Sequence, residues 1–378
     1  MTVHYPWDVA PEFAQPLKVA DGIFWFRVPL PMPLDHVNVY VLEDNNGWTV
    51  VDTGLSTKKT KEMWQRIFSG PLAGKKVHRL IVTHHHPDHV GLAGWFQKEY
   101  GVALWMTRTA WLTARMLCLD EQKIPPPETL EFWRKAGMRS DIIEERQGGK
   151  PFNFADAVSA LPLGFRRILD NEEIKIGDRI WKVRVGNGHA PEHATLWSKA
   201  DDIVIAGDQI ISSISPNLGV YATEPNANPV KEWIDSCHKL SAFATDDHLT
   251  LSGHKLPFTG LKFRLNQMVE NHELSLDRLI DFLEKPHTAE ECFGVLFGKS
   301  IQKSEYGLAI YAACAQMGVI YLPLNTAYTP QELFYFIENS DASMLICETS
   351  REELLQPLVK SLGIRLATVD VLGNGSLQ

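Results

Sequence analysis

Residues 84–89 read His-His-His-Pro-Asp-His and follow directly on the apolar run Leu80-Ile81-Val82. Imidazoles and a carboxylate crowded onto one turn after a strand suit a transition metal, because imidazole nitrogen and carboxylate oxygen are its ordinary donors. A metal site is therefore the first reading, and the surrounding pattern sets its frame. Upstream, Ile23-Phe24-Trp25-Phe26, Asn38-Val39-Tyr40-Val41-Leu42 and Trp48-Thr49-Val50-Val51-Asp52 read as antiparallel strands, the last two joined by a turn at Asp44-Asn45-Asn46-Gly47. A helix is expected over 58–68, a buried strand over 79–83, and a second helix over 90–100 after the histidine turn.

Downstream, 107–162 reads as an inserted helical cap. It carries Trp111, Phe132, Trp133, Phe152 and Phe154 and is broken at Pro125-Pro126-Pro127. Strands return at 165–168, 173–176, 179–185, 202–206 and 249–252. A helix follows over 261–283, and Thr288-Ala289-Glu290-Glu291 has the capping-box spacing of another. From about 300 the pattern alternates helix and strand: 305–317, 319–322, 330–339, 344–347, 351–362 and 366–369. The expected organisation is a catalytic domain over 1–258, a small winged-helix-like appendage over 259–299, and a separate α/β segment over 300–378.

The 378 residues are 44% hydrophobic and 22% charged, which is ordinary for a soluble globular chain with a large core. A formal charge of −9 speaks against a main role in gripping nucleic acid and favours a small-molecule substrate. No signal-peptide core and no uncharged apolar run of about 18 residues occurs, so no membrane span and a cytoplasmic location are expected. Five scattered cysteines without a Cys-x-x-Cys pair suggest neither a disulfide framework nor a thiolate zinc knuckle.

Three further donors sit in loops after strands: His189 in Gly188-His189-Ala190-Pro191-Glu192-His193, Asp208 in Gly207-Asp208, and His254 in Ser252-Gly253-His254. With His84, His86, Asp88 and His89 they make a nitrogen and oxygen set sized for two metals sharing a carboxylate and a water. His85 alternates away from its neighbours and is set aside.

These motifs, in this order, resemble those of the metallo-β-lactamase-fold hydrolases over roughly 17–258. The resemblance implies a four-layered αβ/βα sandwich, with His84, His86 and His189 on one metal, Asp88, His89 and His254 on the other, and Asp208 between them. It implies a bracing role for Asp52 at a strand end, while His193 is read as a loop-stabilising or outer-layer group. Two divalent ions, zinc first and iron or manganese after it, would acidify a shared water and polarise the bond under attack. Asp88 and Asp208 are the candidate catalytic carboxylates, and Tyr221 is a candidate for stabilising the oxyanion.

The best-known β-lactamase subclass places cysteine where Asp208 stands, and diiron flavoprotein relatives place glutamate where His86 stands. Neither chemistry is expected here. What is expected is hydrolysis of a small-molecule ester, thioester or lactone, with the cap aromatics walling an acyl pocket. A metal-dependent endoribonuclease of the same fold is the alternative, since the segment around Thr288 resembles the appendage of such an enzyme. The stretch Tyr321-Leu322-Pro323-Leu324-Asn325-Thr326-Ala327-Tyr328-Thr329-Pro330 with Glu332-Leu333 resembles an early piece of acyl-CoA synthetases, most nearly malonyl-CoA synthetases. The phosphate loop and adenylate motif of those enzymes do not occur, so the tail is read as catalytically empty, a passenger or a surface for oligomerisation. By analogy it points the substrate expectation toward acyl-CoA thioesters.

Overall fold

The computed structural model describes residues 2–31, 34–297, 328–340, 342–368 and 376. Met1–Leu274 and Ser275–Gln378 form separate compact units. In the first unit, one sheet runs in chain order: β1 (Leu17–Ala20), β2 (Ile23–Pro29), β3 (His36–Asp44), β4 (Gly47–Val51), β5 (Lys76–Ile81), β6 (Leu104–Met106) and β7 (Arg166–Arg167). β1 to β4 pair antiparallel and β4 to β7 parallel. A second sheet holds β8 (Glu173–Ile176), β9 (Arg179–Gly186), β10 (His193–Ser198), β11 (Ile203–Gly207) and β12 (Leu249–Ser252), in the order β12-β11-β10-β9-β8. Only its β11–β12 pair is parallel.

Side-chain alternation along the strands makes the layers. Val37, Val39 and Val41 of β3 face a cluster with Trp64 and Phe96, whereas Tyr40 and Leu42 face the other way, toward Trp181 and Leu196 of the second sheet. Ile203 and Ile205 of β11 join that inter-sheet core, and Val204 and Ala206 enter a third cluster with Trp233 and Leu261. The outer layers are therefore helical. On one side lie α1 (Lys58–Ser69), α2 (Pro87–Val90), α3 (Ala93–Tyr100) and the first cap helix α4 (Arg108–Leu119), with the cap continuing through α5 (Pro127–Lys135) and α6 (Ser140–Gln147). On the other lie α7 (Pro229–Ser241) and α8 (Leu261–Phe282). The expected four-layered sandwich is the architecture found.

Local departures have local causes. The helix expected over 90–100 breaks between α2 and α3, because Leu92 N–H donates to Thr53 Oγ1 (3.0 Å) and the Gly91 carbonyl accepts from Ser159 N (2.7 Å) instead of continuing the helical ladder. The strand expected over 165–168 shrinks to β7. β10 and α7 were not anticipated. In the cap, Trp111 stacks on Phe165 with centroids 4.6 Å apart and Phe154 is buried over His85, so both serve the packing, while Phe152 is 71% exposed.

In the second unit α9 (Ala289–Phe297) is followed by α10 (Pro330–Asn339), β13 (Met344–Cys347), α11 (Glu352–Leu362) and β14 (Arg365–Thr368), the strands pairing in parallel. Thr329 and Glu332 close a reciprocal capping box on α10. The described part of 259–299 is α8 and α9 alone, without a strand. The elements expected over 305–317 and 319–322, and most of the stretch 321–330, lie outside the described residues. Among the described residues no helix is long and apolar enough to cross a membrane, and Cys118, Cys237, Cys292 and Cys347 are free thiols.

Candidate metal centre

The seven expected donors leave the C-terminal ends of strands on one rim of the sandwich: His84 to His89 after β5, His189 after β9, Asp208 after β11 and His254 after β12. Asp52, after β4, organises the first group. It is buried with a left-handed φ of 65°, and its N–H donates to the Ile81 carbonyl at 2.9 Å. Its Oδ1 accepts Thr83 N–H (2.8 Å), and its Oδ2 accepts both the Thr83 hydroxyl (2.8 Å) and His89 Nδ1–H (2.9 Å). Having donated to Asp52, the Thr83 hydroxyl accepts from His84 Nδ1–H at 3.0 Å. On the other sheet, His189 Nδ1–H donates to the Asn217 carbonyl and His254 Nδ1–H to the His36 carbonyl, each at 2.9 Å. This hydrogen-bond network assigns one tautomer to all four rings, with the proton on Nδ1 and a lone pair on Nε2.

The lone pairs converge. His84 Nε2 lies 3.0 Å from His86 Nδ1 and 3.3 Å from His189 Nε2, the second pair being acceptor facing acceptor. Asp208 Oδ2 lies 3.2 Å from His254 Nε2, 3.4 Å from His89 Nε2 and 3.6 Å from His189 Nε2. Asp88 Oδ2 lies 3.2 Å from His254 Nε2 and 3.7 Å from His89 Nε2. Donors at the corners of a tetrahedron with bonds of about 2.0–2.1 Å stand about 3.3 Å apart, so these spacings are those of atoms around a shared cation. His89 Nε2 and Asp208 Oδ1 are buried without a hydrogen-bond partner, a condition folded proteins seldom leave uncompensated. The donors form three overlapping groups that could hold a metal ion: His84, His86 and His189; His84, His89 and Asp208; Asp88, His89 and His254.

The electrostatics divide the centre. Burial, reinforced by neighbouring imidazoles, holds His84 and His86 well below the ordinary imidazole value, and burial lowers His189 as well. Burial also opposes protonation of His89 and His254, but the surrounding carboxylates together outweigh it, Asp208 and Asp88 on both rings and Asp52 on His89, and His254 is pushed up to about 10. Burial works against ionising Asp208 too, yet His254 and His89 keep its carboxyl well below the usual range. Protons and divalent cations thus compete for the same nitrogen lone pairs.

His193 begins β10 rather than lying in a loop. Its Nε2 accepts Asp208 N–H at 3.1 Å and its ring stacks on His84 with centroids 4.5 Å apart, so it positions both. A Cβ on Gly253 would meet Asp208 Oδ1 at 2.2 Å and His89 Cε1 at 2.8 Å, which is why glycine precedes His254. His85 joins none of the three groups, and burial lowers its imidazole to about 4. Tyr221 is 56% exposed, and its hydroxyl accepts from Asn217 Nδ2 at 3.4 Å, one residue removed from His189. The most informative residue that sequence reasoning missed is Asn38. Its Nδ2 donates to the carbonyls of Ser252 (2.9 Å) and Lys255 (2.7 Å), and its Oδ1 accepts Trp25 Nε1–H at 2.8 Å, tying the first sheet to the His254 loop. The signal was a polar residue sharing the inward face of β3 with Tyr40.

The family description of the metallo-beta-lactamase superfamily matches residues 32–261, the span that holds this rim and every strand of both sheets from β3 to β12. The chain belongs to that superfamily. Within it, the chain is 24% identical over 299 residues to the "Probable metallo-hydrolase YqjP" of Bacillus subtilis (strain 168), a match covering 75% of this chain and 87% of the relative. A beta-lactamase domain protein from Burkholderia ambifaria is 33% identical, with a TM-score of 0.69 over 78% of this chain and 88% of that one. The metallo-beta-lactamase family protein TTHA1429 from Thermus thermophilus, 24% identical, shares the fold with a TM-score of 0.62 over 81% of this chain and 97% of its own. The chain is a hydrolase of the metallo-beta-lactamase superfamily with a His/Asp cluster that could bind metal.

Proposed function

We propose that this hydrolase is dinuclear and cleaves a small-molecule ester, thioester or lactone, with acyl-CoA thioesters as the first class to try. The observation that carries the reading is the convergence of seven donors, four of them imidazoles whose second nitrogen is already bonded outward. His84, His86 and His189 would hold one cation, and Asp88, His89 and His254 the other, with Asp208 between them. Zinc suits this set, and iron or manganese would accept the same donors. When bound, two such cations supply Lewis acidity and bring a water within reach of ionisation near neutral pH.

The chain's own groups orient and move protons. The Asp88 side chain is 18% exposed against 7% or less for His89, His189, Asp208 and His254, so Asp88 is the carboxylate placed to take a proton from water and return it to a leaving group. His193 fixes the Asp208 backbone, and Asp52 fixes the rings of His84, through Thr83, and of His89. The test joins elemental analysis of the purified protein to a hydrolysis panel of acyl-CoA, acylglutathione, lactone, phosphodiester and short RNA. Turnover of one of the first three, lost on chelation and restored by zinc, is the expected result. Cleavage of only the last two would replace this reading with a nuclease, and full activity after exhaustive chelation would remove the metal from the mechanism.

A further inference from the structure

Beside the metal centre a cavity of about 510 Å³ opens between the N-terminal segment, β2 and the loops that follow Asp208 and His254. It adjoins the donors through their neighbours rather than through the donors themselves. The carbonyl of His36, one of its lining residues, accepts His254 Nδ1–H, and Lys255, another, follows His254 in the chain. Three buried side-chain atoms without a hydrogen-bond partner belong to residues lining this one cavity: Arg27 Nε, His36 Nε2 and Ser212 Oγ. Ser212 is 3% exposed. Buried polar atoms are nearly always satisfied, so three around one space imply a polar ligand there.

The charge layout says which kind. Among the described residues neither Arg27 nor Lys255 forms an ion pair. The Arg27 guanidinium lies 4.2 Å from the centroid of the Phe13 ring, which sets its plane and leaves its N–H edge free for a planar or tetrahedral oxyanion. The Ser212 segment is held from behind by buried Arg264, whose Nε donates to the Ile211 carbonyl (2.9 Å) and whose Nη2 donates to the Ile214 carbonyl (3.0 Å). Asn38 holds the Lys255 carbonyl. The two acidic lining residues, Asp8 and Glu12, are exposed, so they sit at the mouth while the donors are recessed. His36 bonds Asp35 through Nδ1, so its Nε2 presents a lone pair and accepts an O–H or N–H of the ligand.

The geometry points to this cavity as the subsite that recognises a carboxylate or phosphate carried by the substrate, with Arg27, Ser212 and Lys255 as donors. This rests on the hydrolase reading of the neighbouring centre and narrows it to anionic substrates. Two measurements separate the two claims. In the first, calorimetric titration with inorganic phosphate compares the metal-loaded wild type with R27Q and K255Q at matched metal content. Phosphate held by this pocket weakens by about tenfold or more in both variants. Phosphate held only elsewhere leaves the three proteins alike and overturns the proposal, and K255Q decides alone if R27Q fails to fold. In the second, the kcat/KM ratio of a carboxylate-bearing ester over its neutral isostere falls by about tenfold in R27Q. An unchanged ratio overturns the proposal even where phosphate binding responds. A protein that turns over no ester yet loses phosphate binding in both variants retains the anion pocket and discards the ester-cleaving reading of the neighbouring centre.

Discussion

Replacing Asp52 by Asn tests the tautomer network without touching a candidate donor. The carboxylate accepts three hydrogen bonds, from Thr83 N, Thr83 Oγ1 and His89 Nδ1. Asparagine has one oxygen and one NH2 group in the same volume, and it tolerates the left-handed φ of 65° as well as aspartate does, so backbone strain is not a competing cause. If the NH2 group faces Thr83 N–H, two donors collide. If it faces His89, the ring must accept at Nδ1, and its proton moves to Nε2, the nitrogen that faces Asp208 at 3.4 Å. The second arrangement costs His89 the bare Nε2 that a cation needs, and the first sets two donors against each other at the Thr83 turn that carries His84. Groups that orient a metal-binding imidazole typically contribute about 10- to 100-fold in affinity, or about 1.4–2.8 kcal/mol. Competition of the protein with a chromophoric chelator should show zinc affinity lower in D52N by that factor, with the far-ultraviolet dichroism unchanged. An affinity within about twofold of wild type would refute the tautomer argument.

Gly253→Ala places a methyl against Asp208 Oδ1, and the expected result is loss of at least about 100-fold in activity together with reduced metal content; full metal occupancy with normal turnover would show that the loop yields. Asn38→Ala leaves Trp25 Nε1–H and the Lys255 carbonyl without this partner, while the Ser252 carbonyl keeps the Tyr40 hydroxyl, at a cost of about 1–3 kcal/mol. Urea unfolding measures it, and a change below about 0.5 kcal/mol would mean that the two sheets hold the His254 loop without this residue. Burial holds the imidazoles of His248 and His272 below their ordinary value, so the unfolded chain takes up protons that the folded chain refuses. Their contribution is full above about pH 6.5 and is lost as pH falls from there toward the depressed folded values. Urea midpoints across that interval should fall less steeply in a His248→Gln, His272→Gln double variant than in wild type. Equal slopes would exclude these two rings as the source.

All seven side chains that converge on the rim were legible in the sequence because each follows a strand end, and the strands themselves showed through their apolar runs. The network behind them was legible only in part. Asp52 stood out at the end of β4, but Thr83 looks like any strand-end threonine, and the carbonyls of His36 and Asn217 carry no side-chain signal at all. β10 was missed because His193, Thr195 and Ser198 dilute its apolar character, although every residue from His193 to Trp197 is buried between neighbours. α7 was missed although Asn228 and Pro229 mark its start and Asn228 Oδ1 accepts Lys231 N–H at 3.1 Å. The cap aromatics misled in the opposite way: large rings suggest a pocket wall, yet the packing of Trp111 and Phe154 shows that a thin helical insertion needs them to adhere to the core.

The donors belong to both sheets, so a cation held on this rim is a rivet through two plates. Pulling the plates apart would break coordination bonds as well as the inter-sheet core, making release of the ion and collapse of the sandwich a single event. Synthesis runs the same dependence in reverse. The histidine turn leaves the ribosome early, the last donor only near position 254, and in between the nascent chain exposes imidazoles with nothing to complete their shell. Which ion such a rim would take is therefore decided on the finished sandwich, by the spacing that the second sheet imposes.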